Sequence, residues 1–398
     1  MPLPVHGFHD PARARPAGRT YTRGVIDQRT TDGFLSVGQP TARRLARQAL
    51  ERGRAGRTLL VHGPSGSGKE RFVDDLLALF FCTDANLAAR PCNACRGCRD
   101  ARARSHPDLV IGSPEVWREQ RSTGESIVSA ARRWLLSSAG APVIADRRVV
   151  VVERADRAGE LIQNALLKAL EEPTDRHAFI LVADEPSALL PTIRSRCQPL
   201  SIGPVARDEL VAHLVDVMRL PADFADTLAT LSNGLAGTAT AFAERPELLD
   251  WRRRVQLELL TLLERGRADR FGAVRELLDE TTRLVPSAPP AAAEAEDDAP
   301  RTPASTQRAA ASLLVDAWLS LTRDLIVAAA GREELAPGRE LGDPGLSATA
   351  ARIGIPPLLR MARLLERIHD GLAENAAPKL AIEVAMLTWP MTTQPDNR

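Results

Sequence analysis

Short apolar runs and longer helical stripes alternate along the first half of this chain, and helical stripes alone fill the second half. Residues 1–33 are rich in Pro, Arg, Thr and Gly and carry little apolar periodicity, which predicts a disordered or surface-laid extension. From Phe34 the texture changes. Ala42, Leu45, Ala46 and Leu50 recur at helical spacing, and Thr58–His62 then reads as a short buried strand. Comparable strand-like runs follow at Asp108–Ile111, Arg148–Val152 and Ala178–Val182, with helical patterns between them that include Ile127–Leu136 and Leu161–Leu170. Strands alternating with helices predict an α/β domain whose parallel sheet is covered on both faces.

Beyond about residue 203 the strand signal stops. Residues 206–284 read as helical, with Leu210, Leu214 and Val217 on one stripe and Leu257, Leu260 and Leu263 on another. Residues 286–308 then hold 12 Pro or Ala in 23 positions, with four acids, too little apolar bulk to bury a core. Helical stripes resume at Leu314, Trp318, Leu321 and Leu325 and again at Met361, Leu365, Ile368 and Leu372. A last helix is expected from near Pro378 to just before Pro390. The pattern thus predicts an extension (1–33), an α/β domain (34–202), a small helical domain (203–285), a linker (286–308) and a terminal helical domain (309–394), with no internal repeat.

Charge and cysteine content narrow the class. The 398 residues carry 52 basic and 51 acidic side chains, a balance that excludes coating nucleic acid by bulk charge while leaving a local basic face open. Only Lys69, Lys168 and Lys379 are lysines; the other 49 basic residues are arginines, so a single arginine says little by itself. No run of about 18 apolar residues predicts a spanning helix, and Pro, His and Arg interrupt the N-terminus where a signal peptide would be apolar. Five cysteines, four of them clustered, fit a reducing compartment and a metal site better than a disulfide scaffold. A cytoplasmic protein with no membrane partner is expected.

Gly63-Pro64-Ser65-Gly66-Ser67-Gly68-Lys69 follows an expected strand and precedes an expected helix, the context in which a phosphate-binding loop forms. Its glycines let backbone N–H groups turn toward phosphate oxygens, and Lys69 would reach the β- and γ-phosphates. The next residue breaks the pattern. A hydrolysing loop has Ser or Thr there to hold Mg²⁺, and this chain has Glu70. At the end of the Val149–Val152 strand, where an Asp for the metal and a Glu for the attacking water are usual, stand Glu153 and Arg154. Arginine cannot act as a base near neutral pH. These residues predict a site that can hold ATP or ADP but does not hydrolyse it.

Cys82, Cys92, Cys95 and Cys98 form C-x9-C-x2-C-x2-C. Four thiolates at such spacing can close a tetrahedral Zn²⁺ shell with no open position, a structural site. An iron–sulfur cluster is the rival reading; the absence of a Pro after Cys98 and of any redox motif favours zinc. Cys197 stands apart and reads as a small buried apolar residue.

With a phosphate loop in the first strand–helix unit and a four-Cys insert directly after it, the chain resembles bacterial clamp-loader subunits of the AAA+ family. Asn164-Ala-Leu-Leu-Lys168-Ala-Leu-Glu-Glu-Pro173 and Leu190-Pro-Thr-Ile-Arg194-Ser195-Arg196-Cys197 extend the resemblance, which runs from about Phe34 to Pro390. It implies an AAA+ P-loop core with a zinc module, a helical lid, and a C-terminal helical collar whose final helix includes Pro378–Glu383. It also implies that Arg196 projects into the ATP site of a neighbouring subunit, and that the helix carrying Lys168, which by itself reads as a solvated helix end stopped by Pro173, lies near DNA or a subunit boundary. Arg194 reads as a packing or ion-pairing residue.

Two branches of the family compete, the ATP-hydrolysing gamma/tau type and the delta-prime type. The altered Glu70, Glu153 and Arg154 favour the second. So does Ala183-Asp184 at the sensor position after the fourth strand, and so does Gly234–Ala241, which holds no arginine where active subunits carry one. The expectation is a stator subunit that helps load the sliding clamp onto primed DNA, with gamma/tau and delta subunits as partners. The rivals are a self-sufficient gamma/tau-type ATPase and an unrelated zinc-and-nucleotide DNA-binding module.

Overall fold

The computed structural model describes residues 32–51, 58–171, 176–285, 303–332, 346–373 and 376–391. The expected extension, apart from Asp32 and Gly33, and positions 286–302 of the expected linker lie outside these residues, as do Glu172 and Pro173.

Five strands form one parallel sheet: β1 (Thr58–His62), β2 (Leu109–Gly112), β3 (Arg148–Val152), β4 (His177–Ala183) and β5 (Gln198–Ser201), in the order β2-β3-β4-β1-β5. Register follows the apolar runs, with Leu60 opposite Leu181 and Val150 opposite Phe179. Side chains alternate between faces along each strand, and both faces are buried. Leu59, Val61, Val149, Val151, Ile180 and Leu200 pack under α1 (Pro40–Glu51) and α2 (Lys69–Phe81). α3 (Arg96–Arg102) and α4 (Pro114–Glu119) follow in the chain. Leu60, Val150, Val152, Phe179 and Leu181 pack under α5 (Ile127–Ser138), α6 (Glu160–Glu171) and α7 (Pro191–Arg194). This is the both-faces-covered arrangement expected of apolar parallel strands.

β5 has no counterpart among the sequence-based expectations. Gln198-Pro-Leu-Ser lacks an apolar run because β5 is an edge strand, where Pro199 costs no ladder bond and only Leu200 is buried.

α8 (Arg207–Asp216), α9 (Ala222–Leu231) and α10 (Ala236–Glu244) enclose a small core of Leu210, Leu214, Leu228, Ala239 and Phe242. The remaining helices are α11 (Glu247–Thr261), α12 (Arg267–Leu284), α13 (Pro303–Ala329), α14 (Leu346–Ile353), α15 (Ile355–Ala373) and α16 (Pro378–Thr388). They share one core around Trp251, Leu259, Trp318, Leu365 and Trp389. α11 and α12 therefore pack with the C-terminal helices, although positions 286–302 separate them in sequence. The described part of α13 starts at Pro303, inside the expected linker.

The expected stripe of α8 is buried at Leu210 and Leu214 but stops short of Val217, which caps the helix and is 58% exposed; the stripe of α11 is displaced, since Leu257 is 47% exposed while Val255, Leu259 and Leu262 are buried. On α11 the buried face is set by packing against α13, which single-helix periodicity does not contain. Among the described residues, no helix is long and apolar enough to cross a membrane.

Candidate functional site

The carboxyl ends of β1, β3 and β4 open onto one crevice, the place where open parallel sheets receive ligands. Gly63–Gly68 leads from β1 into α2, and the backbone geometry explains its glycines. Gly66 and Gly68 lie at φ 77° and 94°, which other residues rarely adopt. A Cβ at Gly63 would stand 1.9 Å from the Ile202 carbonyl oxygen, and one at Gly66 would stand 2.1 Å from Thr238 Oγ1.

Lys69 turns back into this loop. Its Nζ donates to the carbonyls of Gly63 at 2.6 Å and Pro64 at 2.8 Å and pairs with Asp184 Oδ1 at 2.7 Å. An ammonium has three donors, and all three are committed to the chain itself. Asp184 follows β4; its carboxylate also reaches Arg157 at 3.5 Å, and its backbone N–H donates to Asp156. Burial, with the Asp184 charge adding to it, pushes the Asp156 carboxyl up. The N-terminus of α10 closes the other side, where Thr238 N–H donates to the Gly66 carbonyl at 3.0 Å. The Gly234–Ala241 segment thus lies on the phosphate loop itself. Ser67 Oγ is buried there without a hydrogen-bond partner among the described residues. Glycines, Lys69 and this orphaned hydroxyl fit a phosphate group.

They do not fit Mg²⁺. Glu70 faces solvent on the first turn of α2. Glu153 accepts from Arg104 Nη1 at 2.7 Å, and the Arg104 Nε donates to Asp74 at 2.9 Å. Arg154, in the left-handed region at φ 50°, pairs with Glu115 on α4 at 3.1 Å. Each position that would hold the metal or activate water is exposed or already paired within the chain.

At the far end of α2 the four cysteines come together. Their sulfurs lie within 4.8 Å of one another, with Cys82 and Cys95 at 4.0 Å. A tetrahedral ion with bonds of about 2.3 Å holds its sulfurs roughly 3.8 Å apart, so this set can hold a metal. Backbone N–H groups of Cys92, Cys95 and Cys98 donate to the sulfurs of Cys82, Cys92 and Cys95 at 3.4 Å each, the arrangement that favours thiolate. Burial pushes the Cys98 thiol up, together with its Cys82 neighbour. Burial acts the same way on Cys95, but hydrogen bonds from Thr83 and Cys98 outweigh it and bring that thiol down to about 6. Gly97 is required by packing, since a Cβ there would stand 2.0 Å from the Phe81 carbonyl oxygen. Cys197 lies apart, buried on the other face of the sheet, with its thiol pushed up to about 12 by burial.

Arg196 lies just past α7, about one-third exposed, with Nη1 on the Thr192 carbonyl at 2.8 Å and Nη2 on Glu171 at 2.8 Å. Lys168 and Arg194 are exposed, while Leu166 and Leu170 face the core. The sequence reading did not single out Asp74, Asp75, Arg102 or Arg104. Asp75 is fully buried, accepts from the backbone of Leu35 and Ser36, and pairs with Arg102 at 2.9 Å. A signal was present: Asp74 and Asp75 interrupt the apolar run of α2 between Val73 and Leu76.

Taken together, the parallel sheet, phosphate loop, four-Cys cluster and helical second half agree with the resemblance to AAA+ clamp-loader subunits. Residues 38–206 match the family described as DNA polymerase III, delta subunit. The chain is similar to DNA polymerase III delta' subunits of several bacteria. It is 26% identical to DNA polymerase III subunit delta' of Bacillus subtilis over 60% of this chain and 69% of that one. It is 32% identical to the same subunit of Pseudomonas aeruginosa over 45% of this chain and 53% of that one. A gamma/tau subunit of Mycobacterium bovis is 30% identical, but over 48% of this chain and 35% of its own length. Among solved structures, a DNA polymerase III gamma subunit-related protein of Thermotoga maritima aligns over 88% of this chain and 98% of its own, at 17% identity and a TM-score of 0.38.

Proposed function

We propose that this chain is the non-hydrolysing stator of a DNA polymerase III clamp loader, which helps load the sliding clamp onto primed DNA. The observation that carries this reading is the state of its own phosphate site: Glu153 is spent on Arg104, and Arg154 stands paired with Glu115 where a water-activating acid is expected. Such a loop can hold ATP or ADP through its glycines, Lys69 and Ser67, but of the positions that would hold Mg²⁺ or activate water Glu70 turns to solvent and Glu153 and Arg154 are paired within the chain. Zinc is the metal that four thiolates with closed tetrahedral spacing suit best, and its role here is structural.

Arg196 supplies the chemistry in trans. Its guanidinium is solvent-accessible and held in place by Glu171 and the Thr192 carbonyl, and a planar cation suits the charge that spreads over a transferring phosphoryl group. The partners that fit are gamma/tau subunits, one of which would offer its ATP to Arg196, and a delta subunit. The delta-prime likeness supports this assembly and a cytoplasmic location.

Reconstitution tests the reading. The isolated chain should show no Mg²⁺-dependent ATP turnover above background. In the assembled loader, Arg196→Ala should leave assembly intact and slow the neighbouring site by about 10³-fold or more, so that the complex loses the share of turnover which that site carries. Robust turnover by the isolated chain, or an unchanged rate with Arg196→Ala, would overturn it.

A further inference from the structure

α10 meets the phosphate loop backbone to backbone. Thr238 N–H donates to the Gly66 carbonyl at 3.0 Å, and glycines stand on both sides of the contact. A Cβ at Gly237 would lie 2.8 Å from the Gly66 carbonyl oxygen and 3.1 Å from the Gly68 nitrogen, while one at Gly66 would meet Thr238 Oγ1. The atoms facing Gly237 belong to the loop backbone, so they cannot swing aside as the tip of a long side chain would.

Gly237 has no conformational need to be glycine. It lies in the first turn of α10 with a helical backbone, unlike the left-handed Gly66 and Gly68. Alanine suits a helix better than glycine. Local propensity therefore argues against this residue, and the contact with the loop argues for it. The helix is also held at both ends. Gly234, at φ 77°, leads into α10, and its carbonyl accepts from Val205 N–H at 2.8 Å. Near the other end, the Arg252 guanidinium of α11 lies 5.6 Å from the centroid of the Phe242 ring and bonds Ser320 on α13. With α10 seated this way, the two loop side chains that fit a phosphate are shut off from solvent: Ser67 is 2% exposed and Lys69 8%.

We propose that α10 is a latch on the phosphate loop and that Gly237 is the residue that lets it close. The closed latch keeps a nucleoside diphosphate from Lys69 and Ser67, and uptake follows when the first turn of α10 lifts from Gly66 and Gly68. Gly237→Ala adds a methyl where backbone atoms already stand, so it unseats the helix without weakening it as a helix. The proposal rests on reading residues 63–69 as a phosphate loop.

Two measurements on the full-length isolated chain test it. Hydrogen exchange without ligand reads the latch itself. Gly237→Ala should raise exchange in residues 63–72 and 234–244 by about tenfold and leave β3 and β4 protected. Gly272→Ala, at a glycine of α12 whose Cβ would meet nothing within 4 Å, should match the wild type. Stopped-flow binding of a fluorescent ADP analogue in EDTA reads access. The wild-type association rate should level off with rising analogue, because opening limits it. Gly237→Ala should raise both that plateau and the apparent affinity by about tenfold, since affinity scales with the open fraction. Unchanged exchange in Gly237→Ala, or raised exchange with uptake neither faster nor tighter, would overturn the latch. A rise that spreads through β3 and β4 would make the contact part of the core, and would overturn it too. Raised exchange with no uptake by any variant would overturn the phosphate-loop reading as well. No partner subunit enters either assay, so each of these failures is distinct from a failure of the clamp-loader reading, which turnover by the assembled complex decides.

Discussion

α2 ends in a different kind of site at each terminus. At its N-terminus the phosphate loop has its charged group directed at the chain itself, Lys69 at two carbonyls and Asp184, and its Gly66 carbonyl at Thr238, with Ser67 Oγ left over. At its C-terminus four sulfurs are directed at one another, within 4.8 Å, with backbone N–H groups supporting three of them. The first is a recognisable motif whose lysine is paired within the chain. The second is a motif with its chemistry available. A motif therefore states which groups are present, and only their partners state whether those groups are free to act.

The largest expected effect breaks the available end. Cys98 is buried, and its removal leaves three ligands where a closed shell needs four. With Cys98→Ser, metal content should fall from about one ion per chain toward zero, and the module should lose the metal-binding free energy, about 10–16 kcal/mol in small zinc-folded units. Elemental analysis reads the first. Hydrogen exchange over residues 82–104 reads the second, as lost protection that spreads into α2 because Arg102 and Arg104 hang from the module. A variant that keeps its metal, or one that loses metal while α2 stays fully protected, would break the contrast between the two ends.

A smaller effect probes the join between them. Asp75 sits fully buried midway along α2 and holds Arg102, Leu35 and Ser36. Asp75→Ala leaves the Arg102 guanidinium largely buried without its charge partner, a loss of about 3–5 kcal/mol. Chemical denaturation should show it as a lower midpoint. An unchanged midpoint would mean that the two ends of α2 are held independently.

Much of this architecture was legible from sequence, and the reasons differ by element. β1 and β3 declared themselves because both faces of a central parallel strand are buried, which makes the run continuously apolar. The stripes of α13 and α15 were correctly placed because each helix buries a single face. β5 was missed because an edge strand needs little apolar content. The face of α11 was misplaced because α13 decides it. At the site, the loop and the four cysteines could be named from spacing. Arg104 could not: it is one of 49 arginines, and its partners lie 30 and 49 positions away along the chain. Nothing local marks which arginine the fold will aim at Glu153.

The smallest expected effect on stability concerns the paired end, and it bears most directly on why that end is closed. Asp184 holds Lys69 from a side chain that is one-third exposed, so its contribution is moderated by solvent. Asp184→Asn keeps the shape of the residue and its backbone bond to Asp156, and it should lower stability by only about 1 kcal/mol. Its effect on binding should be larger. A bound phosphate must compete with the Asp184 carboxylate for the Lys69 ammonium and also meets that carboxylate's negative charge. Removing the charge frees one of the three Lys69 donors and relieves a like-charge contact. Titration with a fluorescent ADP analogue in EDTA should therefore show affinity gained by about tenfold, worth about 1.4 kcal/mol, while Lys69→Ala should show no such gain in the same background. Unchanged affinity in Asp184→Asn would mean that the ion pair does not gate the loop. The contact from Thr238 to Gly66 would then be what closes the N-terminal end of α2.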